Sequence, residues 1–299
     1  MATHPTVARL ALHNLVSDAG TVYGRGATPF RVALHAQVAH GVVPAAEALG
    51  QGLARLFCDL FAVHLRSGLA ERLVVLAAPP AVPTRAAEQL TDGFRRELDA
   101  YLRQHTDSIS VGASLALSDP LPSDYELAPP DLRQQYWAQR RLLPIGLPLA
   151  GAVVVIVDQI RLTGAKEAFL TQALTPHAPE SLVYLYGAAG PRTAPSVAAE
   201  MGHALRRTQA TSPEALAKLV GGAPVAVSAW WVARLVREFT ASEWATLFRL
   251  LPPAFLTDLV AYLQQPTPPA EGTVRNLYLV AEAALQQRRR QAATKPRKA

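Results

Sequence analysis

The sequence predicts an α/β protein built on a parallel sheet and followed by a helical C-terminal region. First, five branched aliphatic residues run without a break from Val153 to Val157, which is typical of a central strand buried on both faces of the sheet. Second, this strand is followed by helical spacing at 165–174 and by an apolar strand pattern at 181–186, which together make a strand–helix–strand unit. Third, strand patterns stop after Gly187, whereas helical spacing continues.

Composition places this fold in a globular protein. The chain has 299 residues, half of them hydrophobic, so it can bury one large core or two smaller ones. Cys58 is the only cysteine, which excludes an internal disulfide and agrees with a reducing cytoplasm. No signal peptide is recognisable, and the longest uncharged run, Leu142 to Val157, is interrupted by two prolines and is too short to span a bilayer. We therefore expect a soluble, cytoplasmic protein.

The first 65 residues are expected to contain two helices and a loop between them. An apolar pattern from Val7 to Val16 predicts a short helix, Tyr23 to Phe30 is expected to be a loop, and Arg31 to Val38 is either a strand or the approach to the next helix. Apolar residues from Ala45 to Val63 recur at helical spacing. Pro44 stands near the first turn of this helix, where its missing N–H costs nothing.

The next segment supplies further strands and a long insertion. Leu73 to Ala77 is predicted to be the first sheet strand, and a helix is expected from Arg85 to about Arg103. Ser108 to Leu117 is a further candidate strand. A proline-rich excursion, Asp119 to Asp131, leads into a helix at 132–141; such insertions are either lids over a site or surface decoration.

The end of the central strand is the candidate binding site. Asp158 ends the aliphatic run and is followed by Thr163 and Gly164, which precede the next helix. Open α/β sheets bind ligands at the carboxyl ends of their strands. Thr163 to Lys166 would open the helix, where free backbone N–H groups favour an anion, typically a phosphate. An aliphatic strand that ends in Asp and is followed by a Thr-Gly turn also occurs in many α/β proteins of unrelated chemistry.

The stretch VVVIV-DQ-IRL-TGAK resembles the fingerprint with which type I phosphoribosyltransferases bind phosphoribosyl pyrophosphate. The resemblance implies a Rossmann-like core, with Asp158 on the ribose hydroxyls and Thr163 to Lys166 around the 5′-phosphate. Gln159 replaces the second acidic residue of the fingerprint and brings a hydrogen bond without charge. Lys166 replaces its last threonine, and Leu162 stands where several base-salvage members have a catalytic aspartate. The residues that the resemblance assigns to substrate binding are therefore better matched than those that it assigns to catalysis.

The resemblance also implies a pyrophosphate site and a cofactor. In the family, the loop after the first sheet strand binds pyrophosphate, which here puts Ala78, Val82 and Thr84 beside it. Three prolines in that loop remove backbone donors. Mg²⁺, arriving with phosphoribosyl pyrophosphate and contacting at most Asp158, is the implied cofactor.

Three stretches, VPTRAAEQL, SDYELAPPDLRQQYW and DQIRLTGAKE, look like the phosphoribosyltransferases encoded with bacterial tellurium-resistance and stress-response gene clusters. This narrower resemblance covers about residues 20–260 and implies a role in stress response.

The two resemblances together imply a set of site residues and a function. Asp158 is the catalytic candidate, and the substrate-binding candidates are Gln159, Arg161, Thr163, Gly164, Ala165, Lys166, Ala78, Val82 and Thr84. The implied function is transfer of ribose 5-phosphate to an unknown small nucleophile. The alternative is a catalytically degenerate protein of the same fold that senses phosphoribosyl pyrophosphate or a nucleotide.

Helical spacing in the C-terminal third is found at 228–239, 242–250, 253–263 and 274–287. Ser242 is expected to cap the second of these helices. The aromatic residues are expected to form the core of this bundle: Trp230, Trp231, Trp244, Phe248 and Phe255. The bundle packs on the sheet or forms the face of a homodimer, and the sequence leaves both open.

We therefore divide the chain into an α/β domain at 1–210, a helical region at 211–287 and a basic disordered tail at 288–299. Most of the net charge of +6 comes from the tail. A basic tail can contact nucleic-acid phosphates, but such runs are more often solvated termini, and no aromatic residues interleave with these charges. The eight histidines form no metal-binding motif, and no Walker, G-x-S-x-G or G-x-G-x-x-G motif is present.

Overall fold

The computed structural model describes residues 5–18, 21–26, 32–79, 86–119, 121, 125, 129–143, 145–190, 212–221, 223–227, 229–264 and 272–294. Within these ranges the strands are β1 (Thr6–Asp18), β2 (Thr21–Gly26), β3 (Leu73–Ala77), β4 (Val111–Ser114), β5 (Val153–Arg161) and β6 (Ser181–Ala189). The helices are α1 (Val32–Ala39), α2 (Val43–Arg66), α3 (Ala86–His105), α4 (Pro130–Ala138), α5 (Ala165–Leu174), α6 (Pro213–Val220), α7 (Ala229–Glu238), α8 (Ala241–Leu250), α9 (Pro253–Leu263) and α10 (Gly272–Thr294).

The strands form one sheet in the order β2-β1-β6-β5-β3-β4. Neighbouring strands pair in parallel from β1 across to β4, and β2 is antiparallel to β1 at the edge. The predicted fold class, a parallel α/β sheet with a helical C-terminal region, is confirmed. The predicted helix at 165–174 and the predicted strands at 73–77 and 181–186 are also present.

The expected helix at Val7 to Val16 was wrong, because this segment is the long strand β1. Its apolar residues alternate between the two sheet faces: Ala8, Leu10 and Leu12 pack into one core, and Val7 and Ala11 pack into the other. A strand buried on both faces reads as a continuous apolar run, which periodicity alone does not separate from a short helix. The loop expected at 23–30 was also wrong up to Gly26, where β2 ends, and residues 27–30 lie outside the described ranges.

Each face of the sheet is covered by helices. On one face, Val153, Val155 and Val157 of β5 contribute to a core with α2 and α3. These two helices approach so closely that a Cβ at Gly50 would lie 2.0 Å from the carbonyl oxygen of Leu90, so glycine is required there. On the other face, Val154 and Ile156 of β5 share a core with Leu170 and Leu174 of α5.

The C-terminal helices extend the first of these cores. Trp231 on α7 is fully buried and donates a hydrogen bond from Nε1 to the carbonyl oxygen of His40, 2.8 Å away. Gln37 on α1 donates to the carbonyl oxygen of Leu219 on α6 at 3.0 Å. The C-terminal helices therefore pack on the α/β part of the protein, and α1 with the residue that follows it forms hydrogen bonds to them. Trp244, Phe248 and Phe255 are buried as predicted, and the side chain of Trp230 lies outside the described part.

Two boundaries in this region differ from the sequence analysis. The N-cap of α8 is Thr240, which forms a capping box with Glu243, and Ser242 is inside the helix. The last helix, α10, continues to Thr294 and so includes the basic residues 288–290 that were expected in a disordered tail; residues 295–299 lie outside the described ranges. Across the described residues, none of the helices combines the length and the apolar character that crossing a membrane requires.

Candidate functional site

The strand order of the sheet reverses between β3 and β5, the position that forms a crevice in open α/β sheets. From β3 the chain passes through α3 to β4 at one edge, and from β5 it passes through α5 to β6 in the opposite direction. The helices that follow these two strands, α3 and α5, cover opposite faces of the sheet. Open α/β sheets bind their ligands at such a switch point. The candidate residues after β5 are therefore placed where a ligand is expected.

Asp158 is positioned by its register on β5. It lies opposite Tyr186 of β6 and points to the same face as Val154 and Ile156, toward α5. Its carboxylate accepts a hydrogen bond from the ammonium of Lys166 at 2.8 Å and one from the backbone N–H of Gln159 at 2.9 Å. Only 7 % of the residue is exposed. The structure thus brings Asp158 and Lys166 together as a largely buried ion pair.

Gln159 does not join this group. As the next residue on the strand, it points to the opposite face of the sheet, where its Nε2 donates to the carbonyl oxygen of His35 on α1 at 2.7 Å. At this position the site therefore carries an amide, engaged with His35, in place of the second carboxylate of the fingerprint. Consecutive side chains on a strand point to opposite faces of the sheet, which accounts for this separation.

The turn between β5 and α5 is built around Gly164, and the hydroxyl of Thr163 accepts a hydrogen bond from the N–H of Ala165 at 3.4 Å. Gly164 adopts a left-handed conformation with φ of +80° at the N-terminus of α5 and supplies no capping side chain. A Cβ at this position would lie 2.7 Å from Nη2 of Arg161, so the guanidinium group lies directly against the turn. Thr163, Gly164, Ala165 and Lys166 are contiguous here, and Arg161 adds a second cation to the N-terminus of the helix.

Sequence reasoning did not assign a role to Glu167, which organises the charges behind this turn. Its carboxylate accepts hydrogen bonds from Nε of Arg9 at 2.6 Å, from Nε of Arg161 at 2.8 Å and from the hydroxyl of Tyr186 at 2.9 Å. Glu167 is 6 % exposed. Burial alone would raise its pKa, but the bonds from Arg9 and Arg161 outweigh burial and hold the pKa below its ordinary value. The carboxylate therefore stays ionised and fixes the orientation of Arg161.

The insertion between β4 and β5 packs beside the site. Tyr125 and Trp137 are buried in a cluster that Ala165 and Phe169 of α5 join. Trp137 donates from Nε1 to the hydroxyl of Tyr125 at 2.7 Å, and the guanidinium of Arg133 stands 5.8 Å from the centre of the Tyr125 ring. Burial raises the pKa of Tyr125, and the charges of Lys166 and Asp158 also act on it. The described residues of this segment therefore pack against α5, and its role as a lid stays a prediction.

The loop after β3 is described only at its start. Ala78 is buried, and its N–H donates to the carbonyl oxygen of Val157 at 3.1 Å, which ties the two strand ends together. Val82 and Thr84 lie outside the described residues. Their assignment to pyrophosphate stays a prediction.

The residues at the end of β5 do not fit a magnesium site. Mg²⁺ is typically held by one or two carboxylates together with phosphates and water. Here Asp158 is paired with an ammonium group, and the amide of Gln159 is engaged on the other face. Throughout the described ranges, no three side chains of His, Cys, Asp or Glu are grouped so that they could hold a metal ion.

In comparisons with known proteins, about half of this chain is similar to parts of solved structures. No family model and no curated protein match the chain. A hypoxanthine-guanine phosphoribosyltransferase from Bacillus anthracis is similar over 49% of this chain and 69% of its own, with 15% identity and a TM-score of 0.31. A hypoxanthine phosphoribosyltransferase from Trypanosoma cruzi, solved with the product IMP, is similar over 48% of this chain and 66% of its own, with 15% identity and a TM-score of 0.33. A Staphylococcus aureus hypoxanthine phosphoribosyltransferase gives 13% identity and a TM-score of 0.27, over 48% of this chain and 75% of its own.

These scores are low, so the fold assignment rests on the sheet order and pairing of the chain itself.

Proposed function

We propose that this protein binds phosphoribosyl pyrophosphate at the crevice between β3 and β5 and transfers ribose 5-phosphate to a small nucleophile. One observation carries the proposal. At the carboxyl end of the central parallel strand, a carboxylate, a glycine turn and a helix N-terminus whose N-cap Gly164 supplies no capping side chain stand together at the switch point of the sheet. That combination provides acceptors for sugar hydroxyls and donors for a phosphate within one short stretch of chain.

Each part of the substrate has a counterpart among these residues. The 5′-phosphate would lie over the turn at Gly164, where it receives backbone N–H groups of α5 and the positive charge of Arg161. The carboxylate of Asp158 would accept hydrogen bonds from the ribose hydroxyls. In the proposed transfer, the bond from the anomeric carbon to pyrophosphate breaks as the acceptor bond forms, and Asp158 stabilises the positive charge that develops on the sugar. Pyrophosphate would leave along the loop that begins at Ala78.

A second candidate, binding without transfer, is favoured by the Asp158–Lys166 ion pair. The ammonium group lowers the negative charge that Asp158 presents to an oxocarbenium-like sugar, and the second acid of the fingerprint is absent. A regulatory protein that senses phosphoribosyl pyrophosphate or a nucleotide needs only the binding half of the site. A role in stress response and a homodimeric state are further parts of the proposal that rest on the sequence.

The binding half is tested by titrating the full chain with phosphoribosyl pyrophosphate in a calorimeter. We expect the wild-type protein to bind and the variant Asp158→Asn to lose about tenfold or more in affinity, because a charge-assisted hydrogen bond is roughly twice as strong as a neutral one. The variant Asp258→Asn, which changes an exposed aspartate on α9, is the matched control. Equal affinity of both variants would show that the ligand does not contact Asp158.

The transfer half needs a separate measurement. Release of pyrophosphate from phosphoribosyl pyrophosphate is followed in the presence of a panel of purine and pyrimidine bases and small amines. Release that depends on one of these acceptors supports transfer. Binding without release for the whole panel supports the sensor.

A further inference from the structure

We infer that Lys166 takes the place of a divalent cation at Asp158, so that the site holds the ribose 5-phosphate group without metal. The inference rests on the proposed function, since it concerns the same site. It names the ligand class as phosphate monoesters of ribose, namely ribose 5-phosphate and nucleoside 5′-monophosphates. Any metal that accompanies a pyrophosphate would be bound by the pyrophosphate itself.

The position of Lys166 on its helix directs it to the carboxylate. Lys166 is in the first turn of α5, and helical side chains tilt toward the N-terminus of their helix, which here faces the end of β5. Its ammonium group lies 2.8 Å from Oδ2 of Asp158, and the side chains of the two residues are 19% and 10% exposed. A cation bound to this carboxylate would have to occupy the same small space as the ammonium group or lie beside it. Repulsion between the two charges in a largely buried site opposes that arrangement.

A second ligand for a metal ion is also missing from the face of the sheet that carries Asp158. Gln159 stands at the second acidic position of the fingerprint, and its side chain is bonded to the carbonyl oxygen of His35 across the sheet. A single carboxylate that is already paired is a poor ligand set for Mg²⁺, which keeps strict octahedral geometry and releases its water reluctantly. The same carboxylate and ammonium are well suited to a sugar, because one accepts from a hydroxyl and the other donates to one.

The charges around the turn agree with a single phosphate. Arg9, Arg161 and Lys166 supply three positive charges, and Asp158 and Glu167 supply two negative charges, so the cluster carries a net charge of +1 before a ligand arrives. The N-terminus of α5 adds about half a positive charge. A phosphate monoester carries a charge of roughly −2 near neutral pH, which this surplus balances closely without a metal ion.

The test is calorimetric titration of the full chain with ribose 5-phosphate, once in a chelator and once in excess Mg²⁺. We expect the two affinities to agree within about twofold. We also expect Lys166→Met to weaken binding about tenfold in the chelator and to make it dependent on Mg²⁺, because the variant frees Asp158 for a metal. The matched control is Lys218→Met, which removes an exposed lysine from α6.

The wild-type comparison needs no variant, so it decides the matter even if Lys166→Met does not fold. Binding that requires Mg²⁺ would overturn the inference and leave the proposed function standing. Binding by Lys166→Met in the chelator that equals wild type would also overturn it. Absence of binding to ribose 5-phosphate under both conditions, together with absence of binding to phosphoribosyl pyrophosphate, would remove the proposed function as well.

Discussion

Gly164 shows how a single residue sets the shape of the candidate site. Its φ of +80° lies in a region that residues with a Cβ rarely adopt, and the space beside it is taken by the guanidinium group of Arg161. The backbone can therefore turn sharply from β5 into α5 while Arg161 stays close to the turn. In the proposed complex, both the approach of a phosphate to the backbone and its contact with Arg161 would depend on the missing side chain.

We predict that Gly164→Val abolishes binding of ribose 5-phosphate and lowers the stability of the fold by about 1–2 kcal/mol. The valine would be strained at this φ and would push away the guanidinium of Arg161, which is the movable partner. Titration and thermal melting measure the two effects. Gly151→Val is the control, because Gly151 has a φ of +67° with no atom within 4 Å of its Cβ position and precedes β5 at the opposite end of the strand. If Gly164→Val bound ribose 5-phosphate as tightly as Gly151→Val does, the turn would not be the phosphate site.

Asp158 and Glu167 show which residues of such a site a sequence can reveal. Asp158 was predictable because it directly follows an aliphatic run whose length and composition identify a buried strand. Glu167 was not, because its partner Arg9 lies 158 residues earlier in the chain, on a strand whose pattern was read as a helix. Only the parallel pairing of β1 with β6 brings Arg9 to the face that carries α5. Contacts of this kind depend on topology, which local patterns do not specify.

At the scale of an element, α10 differs most from what its composition suggests. Its last turns are rich in arginine and poor in apolar residues, a composition typical of a solvated terminus. Nevertheless, Arg288 donates from Nη2 to the carbonyl oxygen of Phe248 at 2.9 Å and also to that of Arg249. These carbonyl groups end α8, where the helix dipole favours a positive charge and the backbone acceptors lack helical partners. The spacing of apolar residues predicted helix α10, but it did not predict that the basic end of α10 caps the C-terminus of α8.

We therefore predict that truncation after Gln287 destabilises the protein, whereas truncation after Thr294 does not. The shorter chain loses the hydrogen bonds of Arg288 to α8, which we expect to cost about 1–2 kcal/mol since the donor is charged. Thermal melting of the two truncated proteins beside the full chain measures the difference. Equal melting temperatures for all three would mean that the end of α10 is dispensable, as its composition had suggested.

At the scale of the whole molecule, the α/β part and the C-terminal helices share one hydrophobic core. Buried residues of β5, α2 and α3 are continuous with Trp231, Leu247 and Phe255 of the helical region. The sequence predicted that these helices exist and that their aromatic residues are buried, but not where they dock, since spacing within a helix contains no information on its partner. A hydrogen bond also crosses the boundary between the two parts: Nε2 of His40 accepts from the guanidinium group of Arg234 on α7.

The core also contains a pair of imidazoles that should make the whole fold sensitive to acid. His13 on β1 and His35 on α1 are buried, with ring centres 6.1 Å apart in an edge-to-face arrangement. Burial, and then the charge of His13, lowers the pKa of His35 from 6.5 to about 4. Burial also lowers the pKa of His13. Because the folded protein takes up these protons less readily than the unfolded chain, the stabilising effect is complete above pH 6.5 and is lost as the pH falls toward 4.

We predict that the free energy of unfolding decreases by roughly 3 kcal/mol between neutral pH and pH 4 on account of His35 alone, since each pKa unit corresponds to about 1.4 kcal/mol. Replacing His35 with glutamine, which does not titrate, should flatten the dependence of the melting temperature on pH over this interval, even if the variant is less stable at neutral pH. The exposed His177, replaced in the same way, is the control and should leave the slope unchanged. The decisive quantity is the difference in slope between the two variants, because loss of packing shifts a melting temperature at every pH. Parallel curves for wild type and His35→Gln between pH 6.5 and 4 would show that His35 is protonated as easily in the folded protein as in the unfolded chain.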